Sequence, residues 1–77
     1  MSSKQVLIVE DERAIREMTA FGLRRAGFDV REAEDCRAAR VQLADRQPDL
    51  LLVDWMLPDM SGLEFTRQLK RDRETRD

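Results

Sequence analysis

The sequence Val6-Leu7-Ile8-Val9 runs directly into the acidic residues Glu10 and Asp11. A second apolar run, Leu50-Leu51-Leu52-Val53, ends in the same way at Asp54. Four consecutive aliphatic residues are typical of a parallel strand that is buried inside a sheet. In an open parallel sheet, ligands bind just beyond the carboxyl ends of the strands. We therefore expect these acids to lie where a parallel sheet places its functional site.

The segment after the first strand has the periodicity of a helix, and Gly27 is the residue at which we expect that helix to end. Residues 28–33 then alternate apolar and polar side chains, as a short strand does. The apolar stripe of the predicted helix consists of Ile15, Met18, Gly22, Leu23 and Ala26.

A second and a third helix are predicted further along the chain. Asp35 is the predicted cap of the second helix, and Pro48 lies where that helix must already have ended. Ser61 and Glu64 have the spacing of a capping box that opens the third helix. We expect this helix to end near Lys70 and the remaining charged residues to form a solvated connector. The predicted apolar positions are Cys36, Ala39 and Leu43 in the second helix, and Leu63, Phe65 and Leu69 in the third.

Alternation of strands and helices predicts an α/β fold with a doubly wound parallel sheet and right-handed crossovers. Residues 1–77 supply three strand–helix units, which begin such a fold as a partial domain. The third strand, residues 50–53, is apolar at every position, so we expect it to be covered on both faces. No fourth strand follows to pair with its free edge, and such an edge favours association. We therefore expect a truncated domain, or one completed by another copy.

The composition excludes several classes of function. The 16 acidic and 14 basic residues are interleaved and leave a net charge of −2, so no basic stripe is available for nucleic acid. There is no apolar run long enough to cross a membrane and no signal-like segment before the first strand. Cys36 is the single cysteine, which fits the expected cytoplasmic location. The absence of histidine excludes imidazole catalysis and most zinc sites.

The strand-end acids predict a magnesium site if the first and third strands are neighbours, as they are in the order 2-1-3. Glu10, Asp11 and Asp54 would then converge, and three close carboxylates repel one another unless a cation compensates. Magnesium prefers such hard oxygen ligands and supports phosphoryl transfer. With no serine, cysteine or histidine in the cluster, the available nucleophile is a carboxylate, and Asp54 is the best candidate. Alternatively, Asp11 and Glu12 only favour the start of a helix.

Three segments of the chain resemble those of a known family: residues 9–12, Asp54 at its strand end, and residues 56–62. Together they resemble the receiver domain of two-component response regulators. Residues 15–18 and 54–58 are similar to the phosphate-regulon regulators, a class with a winged-helix DNA-binding output. The resemblance covers essentially the whole chain.

The resemblance implies a flavodoxin-like domain of five strands, of which the first three are present and strands four and five are absent. It implies that Asp54 accepts phosphate from a sensor histidine kinase in a reaction that depends on Mg²⁺. The metal ligands it implies are Glu10, Asp11, Asp54 and the backbone carbonyl of Met56. The resemblance further implies control of a phosphate-starvation-type set of genes through a DNA-binding domain outside this chain, by a phosphoacceptor that is not a turnover enzyme.

The resemblance also implies features beyond the acids. Pro58 and Gly62 match positions that shape the loop after the site. The family has a serine or threonine after its fourth strand and a lysine after its fifth, and no residue of this chain is assigned to either role. Contact with DNA is expected only through a C-terminal domain outside this chain. The expected partners are the kinase and a second copy bound at the third-strand edge, with no membrane.

Two other functions stay open on the sequence. The first is a magnesium-dependent phosphohydrolase with an aspartate nucleophile, which expects a second aspartate where this chain has Met56. The second is an interaction-only fragment, in which the acids cap helices and no phosphate is transferred. Trp55 is expected either near the metal on a partly exposed surface or packed against the following loop.

Overall fold

The computed structural model describes residues 3–76, and the side chains of residues 3–73. Strands and helices alternate along the chain. The strands are β1 (Gln5–Val9), β2 (Asp29–Ala33) and β3 (Leu50–Val53), and the helices are α1 (Arg13–Arg25), α2 (Cys36–Asp45) and α3 (Gly62–Arg76). All three strands pair in parallel, in the order β2-β1-β3. These features confirm the expected flavodoxin-like, doubly wound α/β class and the strand order 2-1-3, with the first three strand–helix units.

Strand β1 is the centre of the described sheet, and its four apolar residues are buried on both faces. Side chains alternate along a strand, so Val6 and Ile8 face α1, whereas Leu7 and Val9 face α2 and α3. The core on the second face also includes Cys36, Ala39, Leu43, Leu57 and Phe65. Helices on both faces of one strand are the reason why its sequence shows no polar alternation.

The ends of α1 and α2 follow from local sequence. Gly27 has a φ of 99°, and the N–H groups of Gly27 and Phe28 donate to the carbonyls of Arg24 and Leu23. This is a Schellman motif, and it confirms the predicted end of the helix. The carboxylate of Asp35 accepts a hydrogen bond of 2.7 Å from the N–H of Ala38, which confirms the predicted cap of α2.

Two predictions, on the packing of α1 and on the length of the third helix, were wrong. Ile15 and Met18, members of the predicted stripe of α1, are 51% and 73% exposed, while Ala20 is buried. The helix packs on the described sheet through the half-buried Leu23, which belongs to that stripe, and through Ala20, which does not.

Strand β3 packs on both faces as predicted, through Leu51 and Val53 on one side and Leu52 on the other, although Leu50 is 50% exposed. It is an edge strand among the described residues.

Helix α3 is longer than predicted, because it continues through most of the charged segment to Arg76. Residues 70–76 contain no glycine or proline, and their lysine, arginine and glutamate residues are good helix formers. Two ion pairs support the helix, from Arg71 to Glu64 at 3.5 Å and from Asp72 to Arg40 of α2 at 3.2 Å. Asp77, the last residue of the predicted connector, lies outside the described residues. Within residues 3–76, no helix combines the length and apolar character needed to span a bilayer.

Candidate functional site

The acids that follow β1 and β3 are brought together by the pairing of these two strands. Val9 and Val53 are partners in the parallel ladder, so the residues after them leave the sheet side by side. The ladder continues for one more residue, since the N–H of Asp54 donates to the carbonyl of Val9 at 2.9 Å. The N–H of Glu10 donates to the carbonyl of Ala33 on β2 at 3.0 Å. Backbone hydrogen bonds between neighbouring strands thus fix the positions of Glu10 and Asp54.

One carboxylate oxygen from each of Glu10, Asp11 and Asp54 lies within 4.8 Å of the other two. Glu10 and Asp54 are half-buried and Asp11 is exposed. Burial, followed by the nearby Asp54 and Asp11 carboxylates, raises the pKa of Glu10 above its usual 4.5, against the opposing hydrogen bond from the N–H of Glu12. The arrangement therefore carries an excess of negative charge that a bound cation would relieve.

The donor set fits magnesium by its chemistry. Carboxylate oxygens are hard ligands, and an exposed member of the cluster leaves room for the water molecules that magnesium retains. The carbonyl oxygen of Met56 accepts no hydrogen bond from any residue that the structure describes. This oxygen is therefore available as a further ligand, in a loop that begins at Asp54.

The loop of residues 54–61 is folded back against the acceptor position. The N–H of Gly62 donates to the carbonyl of Trp55 at 2.9 Å, and Met56 forms an isolated antiparallel bridge with Ser61. Gly62 lies directly against the carbonyl oxygen of Asp54, so that a Cβ atom at this position would overlap it. Gly62, which was predicted to shape the loop, is therefore needed because the backbones of residues 54 and 62 approach each other closely.

The remaining loop residues differ in exposure. Trp55 and Met56 are 69% and 74% exposed, whereas Leu57 is buried in the core. Trp55 thus lies on an exposed surface beside Asp54, as the first of its two expected positions requires. Ser61 accepts a hydrogen bond of 3.1 Å from the N–H of Glu64, which confirms the serine half of the predicted capping box.

Two residues near the site could not be identified from the sequence. Arg16 donates a hydrogen bond of 2.9 Å to the carbonyl of Glu10, and its Nε atom is 3.4 Å from the carboxylate of Glu32 on β2. Asp59 accepts hydrogen bonds from the first turn of α2. Both contacts join segments that are distant in sequence or on different elements, so local periodicity gives no signal for either.

Comparison with known proteins identifies the family. Residues 6–76 match the response regulator receiver domain. The chain is 52% identical over its full length to the phosphate regulon transcriptional regulatory protein PhoB of Pseudomonas aeruginosa, of which it spans 34%. It therefore corresponds to about a third of the length of this curated relative.

Solved structures support the same assignment. A CheY-like receiver domain from Methylobacillus flagellatus aligns with a TM-score of 0.86 at 35% identity, over 90% of this chain and 58% of that one. The response regulator TrrA of Thermotoga maritima, determined in complex with Mg²⁺ and BeF, aligns with a TM-score of 0.84 at 30% identity, over 92% of this chain and 62% of that one. The family expected from the sequence is confirmed: this chain belongs to the response regulator receiver domain family, as a receiver of the PhoB type.

Proposed function

We propose that this chain is a phosphoaccepting regulatory domain, in which Asp54 receives a phosphoryl group from a sensor histidine kinase. The observation that carries the proposal is the convergence of Glu10, Asp11 and Asp54 at the carboxyl ends of β1 and β3 in a chain of the receiver family. In the transfer, an oxygen of the Asp54 carboxylate attacks phosphorus, and the bond from phosphorus to the donor breaks. The leaving group departs with the electron pair of that bond.

We propose that Glu10, Asp11, Asp54 and the carbonyl of Met56 hold Mg²⁺. When bound, Mg²⁺ supplies positive charge against the oxygens of the migrating phosphoryl group. The complex of TrrA with Mg²⁺ and BeF supports this assignment by similarity. In the wider protein, phosphorylation would control transcription of a phosphate-responsive set of genes through a DNA-binding part outside residues 1–77. The similarity to PhoB supports this assignment.

Magnesium alone provides the first test, through the fluorescence of Trp55. Trp55 is the sole tryptophan, is exposed and follows Asp54 directly, so a cation bound by Asp54 changes its surroundings. We expect millimolar Mg²⁺ to quench this fluorescence along a saturable binding curve. Asp11→Asn removes a ligand and is expected to raise the dissociation constant at least about tenfold, a loss of about 1.4 kcal/mol of binding free energy.

Glu12→Gln is the matched control for this titration. Glu12 is the next acid in the sequence, but it lies outside the carboxylate cluster. We expect its dissociation constant to stay within about twofold of that of the unaltered chain. A calorimetric titration that detects no Mg²⁺ binding to the folded chain would contradict the proposed metal site.

We also propose that the exposed edge of β3 binds a second copy of the chain. Among the described residues, β3 pairs only with β1, which leaves one row of its backbone N–H and C=O groups without a strand partner. We expect the mass measured by analytical ultracentrifugation to rise with protein concentration. Leu50→Lys places a charge on this edge and is expected to shift the equilibrium towards monomer.

Val41→Lys is the control for the edge variant, because Val41 is also exposed and apolar but lies on α2. It is expected to leave the association unchanged. A monomer mass at every concentration, or equal effects of the two lysine variants, would argue against an interface at the edge of β3.

A further inference from the structure

The loop that carries Met56 is attached to the start of α2 by Asp59. The two carboxylate oxygens of Asp59 accept hydrogen bonds from the N–H groups of Cys36 and Arg37, each at 3.2 Å. These are the first two N–H groups of α2, which have no partner inside the helix. Asp35 accepts the hydrogen bond from the third, that of Ala38. Two carboxylates thus complete the cap, and only one of them is local to the helix.

The electrostatics of this contact favour a charged Asp59. Burial alone would raise the pKa of Asp59, but hydrogen bonds from Cys36 and Arg37 outweigh it and hold the pKa below the usual 3.8. Burial, followed by the hydrogen bond to Asp59, raises the pKa of the Cys36 thiol to about 12. The thiol is therefore protonated at neutral pH and adds no negative charge beside Asp59. The positive end of the helix dipole also attracts the carboxylate.

The position of this contact in the loop gives it a consequence for the metal site. The loop leaves the sheet at Asp54 and is closed at its base by the hydrogen bond between Trp55 and Gly62. Beyond Met56, Leu57 is buried in the core, and Asp59 follows as the point at which the loop joins α2. Met56 therefore lies between two attachments, although its own side chain is exposed. Removal of the Asp59 contact would loosen the backbone on that side of the Met56 carbonyl and leave the burial of Leu57 as its nearest restraint.

We propose that Asp59 is a positioning residue of the metal site: by capping α2, it holds the loop that carries the Met56 carbonyl, two residues after Asp54. The inference rests on the proposed function and deepens it, because it links the affinity for Mg²⁺ to the start of α2. Residues that support metal ligands without touching the metal commonly change affinity by about ten- to a hundredfold. For one of four proposed ligands, we expect the lower end of that range.

The test compares Asp59→Ala with Asp35→Ala in the 77-residue chain, titrated with Mg²⁺ alone. Both substitutions remove a carboxylate from the same end of α2, so both weaken the helix. Only Asp59→Ala also releases the loop. We expect the dissociation constant for Mg²⁺ to rise about tenfold for Asp59→Ala and to stay within about twofold of the unaltered chain for Asp35→Ala. Circular dichroism verifies that each titrated sample is folded.

Asp59→Asn provides a second variant that keeps the shape of the side chain and one acceptor oxygen. We expect the dissociation constant of Asp59→Asn for Mg²⁺ to lie between those of Asp59→Ala and the unaltered chain. If Asp59→Ala does not fold, the comparison of Asp59→Asn with the unaltered chain tests the inference. An affinity equal to that of the unaltered chain in a folded Asp59 variant would overturn the inference. An equal loss in Asp35→Ala would do so too, because the effect would then come from the helix alone. By contrast, an unaltered chain that binds no Mg²⁺ refutes the proposed metal site itself.

Discussion

Asp54→Asn is expected to abolish transfer of a phosphoryl group to the chain from a small donor such as acetyl phosphate in the presence of Mg²⁺. The amide of asparagine is a poor nucleophile, and the neighbouring Glu10 and Asp11 carboxylates are assigned to the metal instead of the phosphoryl group. Intact-mass spectrometry measures the incorporated phosphoryl group directly. Treatment with hydroxylamine should release it, since an acyl phosphate is cleaved by this nucleophile.

Asp49→Asn is the matched control for this experiment. Asp49 precedes β3, whereas Asp54 follows it, so the two aspartates lie at opposite ends of the same strand. The Asp49 carboxylate accepts a hydrogen bond of 2.7 Å from the N–H of Gln5, which an amide oxygen can also accept. We expect normal labelling of this variant. Labelling of Asp54→Asn at the level of the unaltered chain would exclude Asp54 as the acceptor.

Asp54→Asn is also expected to change the free energy of unfolding when no metal is present. The pKa of Glu10 is raised in the folded chain, mainly by burial and further by Asp54. The folded chain therefore holds this proton more tightly than the unfolded chain, and the associated stability is lost as pH rises through the folded-state pKa. Neutralising Asp54 reduces that loss. At pH 7 without Mg²⁺, we expect Asp54→Asn to be about 1 kcal/mol more stable, the Coulomb energy of two charges about 4 Å apart in water.

Gly62→Ala, at the first residue of α3, is expected to destabilise the folded chain. A Cβ atom here would overlap the Asp54 carbonyl oxygen and lie 3.0 Å from Cγ1 of Val53. Alanine is favoured over glycine inside a helix by about 1 kcal/mol. The overlap with backbone atoms outweighs this gain, at about 3 kcal/mol for overpacking. We therefore expect a net loss of about 2 kcal/mol, and a melting temperature lower by about 8 to 16 °C for a domain of this size.

Gly22→Ala is the matched control, because it makes the same change inside α1, where the added Cβ meets nothing within 4 Å apart from the adjoining residues and backbone of its own helix. Here only the helix preference acts, so the melting temperature should rise. Opposite signs for the two glycine variants would establish that the contact with Asp54 is the cause. An increase in melting temperature for both would show that the loop can move away from Gly62 at little cost. Thermal unfolding followed by circular dichroism makes the comparison.

Much of the fold could be predicted from short stretches of sequence. The aliphatic runs of β1 and β3, the cap at Asp35 and the end of α1 at Gly27 all depend on residues close in sequence. Strand alternation, helix capping and the glycine that ends a helix each depend on one to five neighbouring residues, so they can be predicted without a structure. The convergence of the strand-end acids needed one further assumption, that β1 and β3 are neighbours, and the sheet order bears it out.

The errors came from elements whose packing partners decide the outcome. The apolar spacing in α1 correctly predicted a helix, yet Ile15 and Met18 are exposed because the helix packs on the described sheet through Ala20 and Leu23. Charged residues after Lys70 have no apolar period, yet α3 continues through them with ion pairs to Glu64 and to Arg40 of α2. Periodicity reports which residues are apolar and does not report which face a neighbour covers.

The sequence alone thus determined which strand ends carry the acids, because burial of β1 and β3 requires unbroken aliphatic runs and the next residue must leave the sheet. Only the tertiary structure decided how those acids are supported. Asp59 meets α2 across 23 residues of sequence, and Gly62 meets the carbonyl of Asp54 only once the loop has closed. Such contacts depend on the relative placement of whole elements, which the core packing of the folded chain determines and no local pattern encodes.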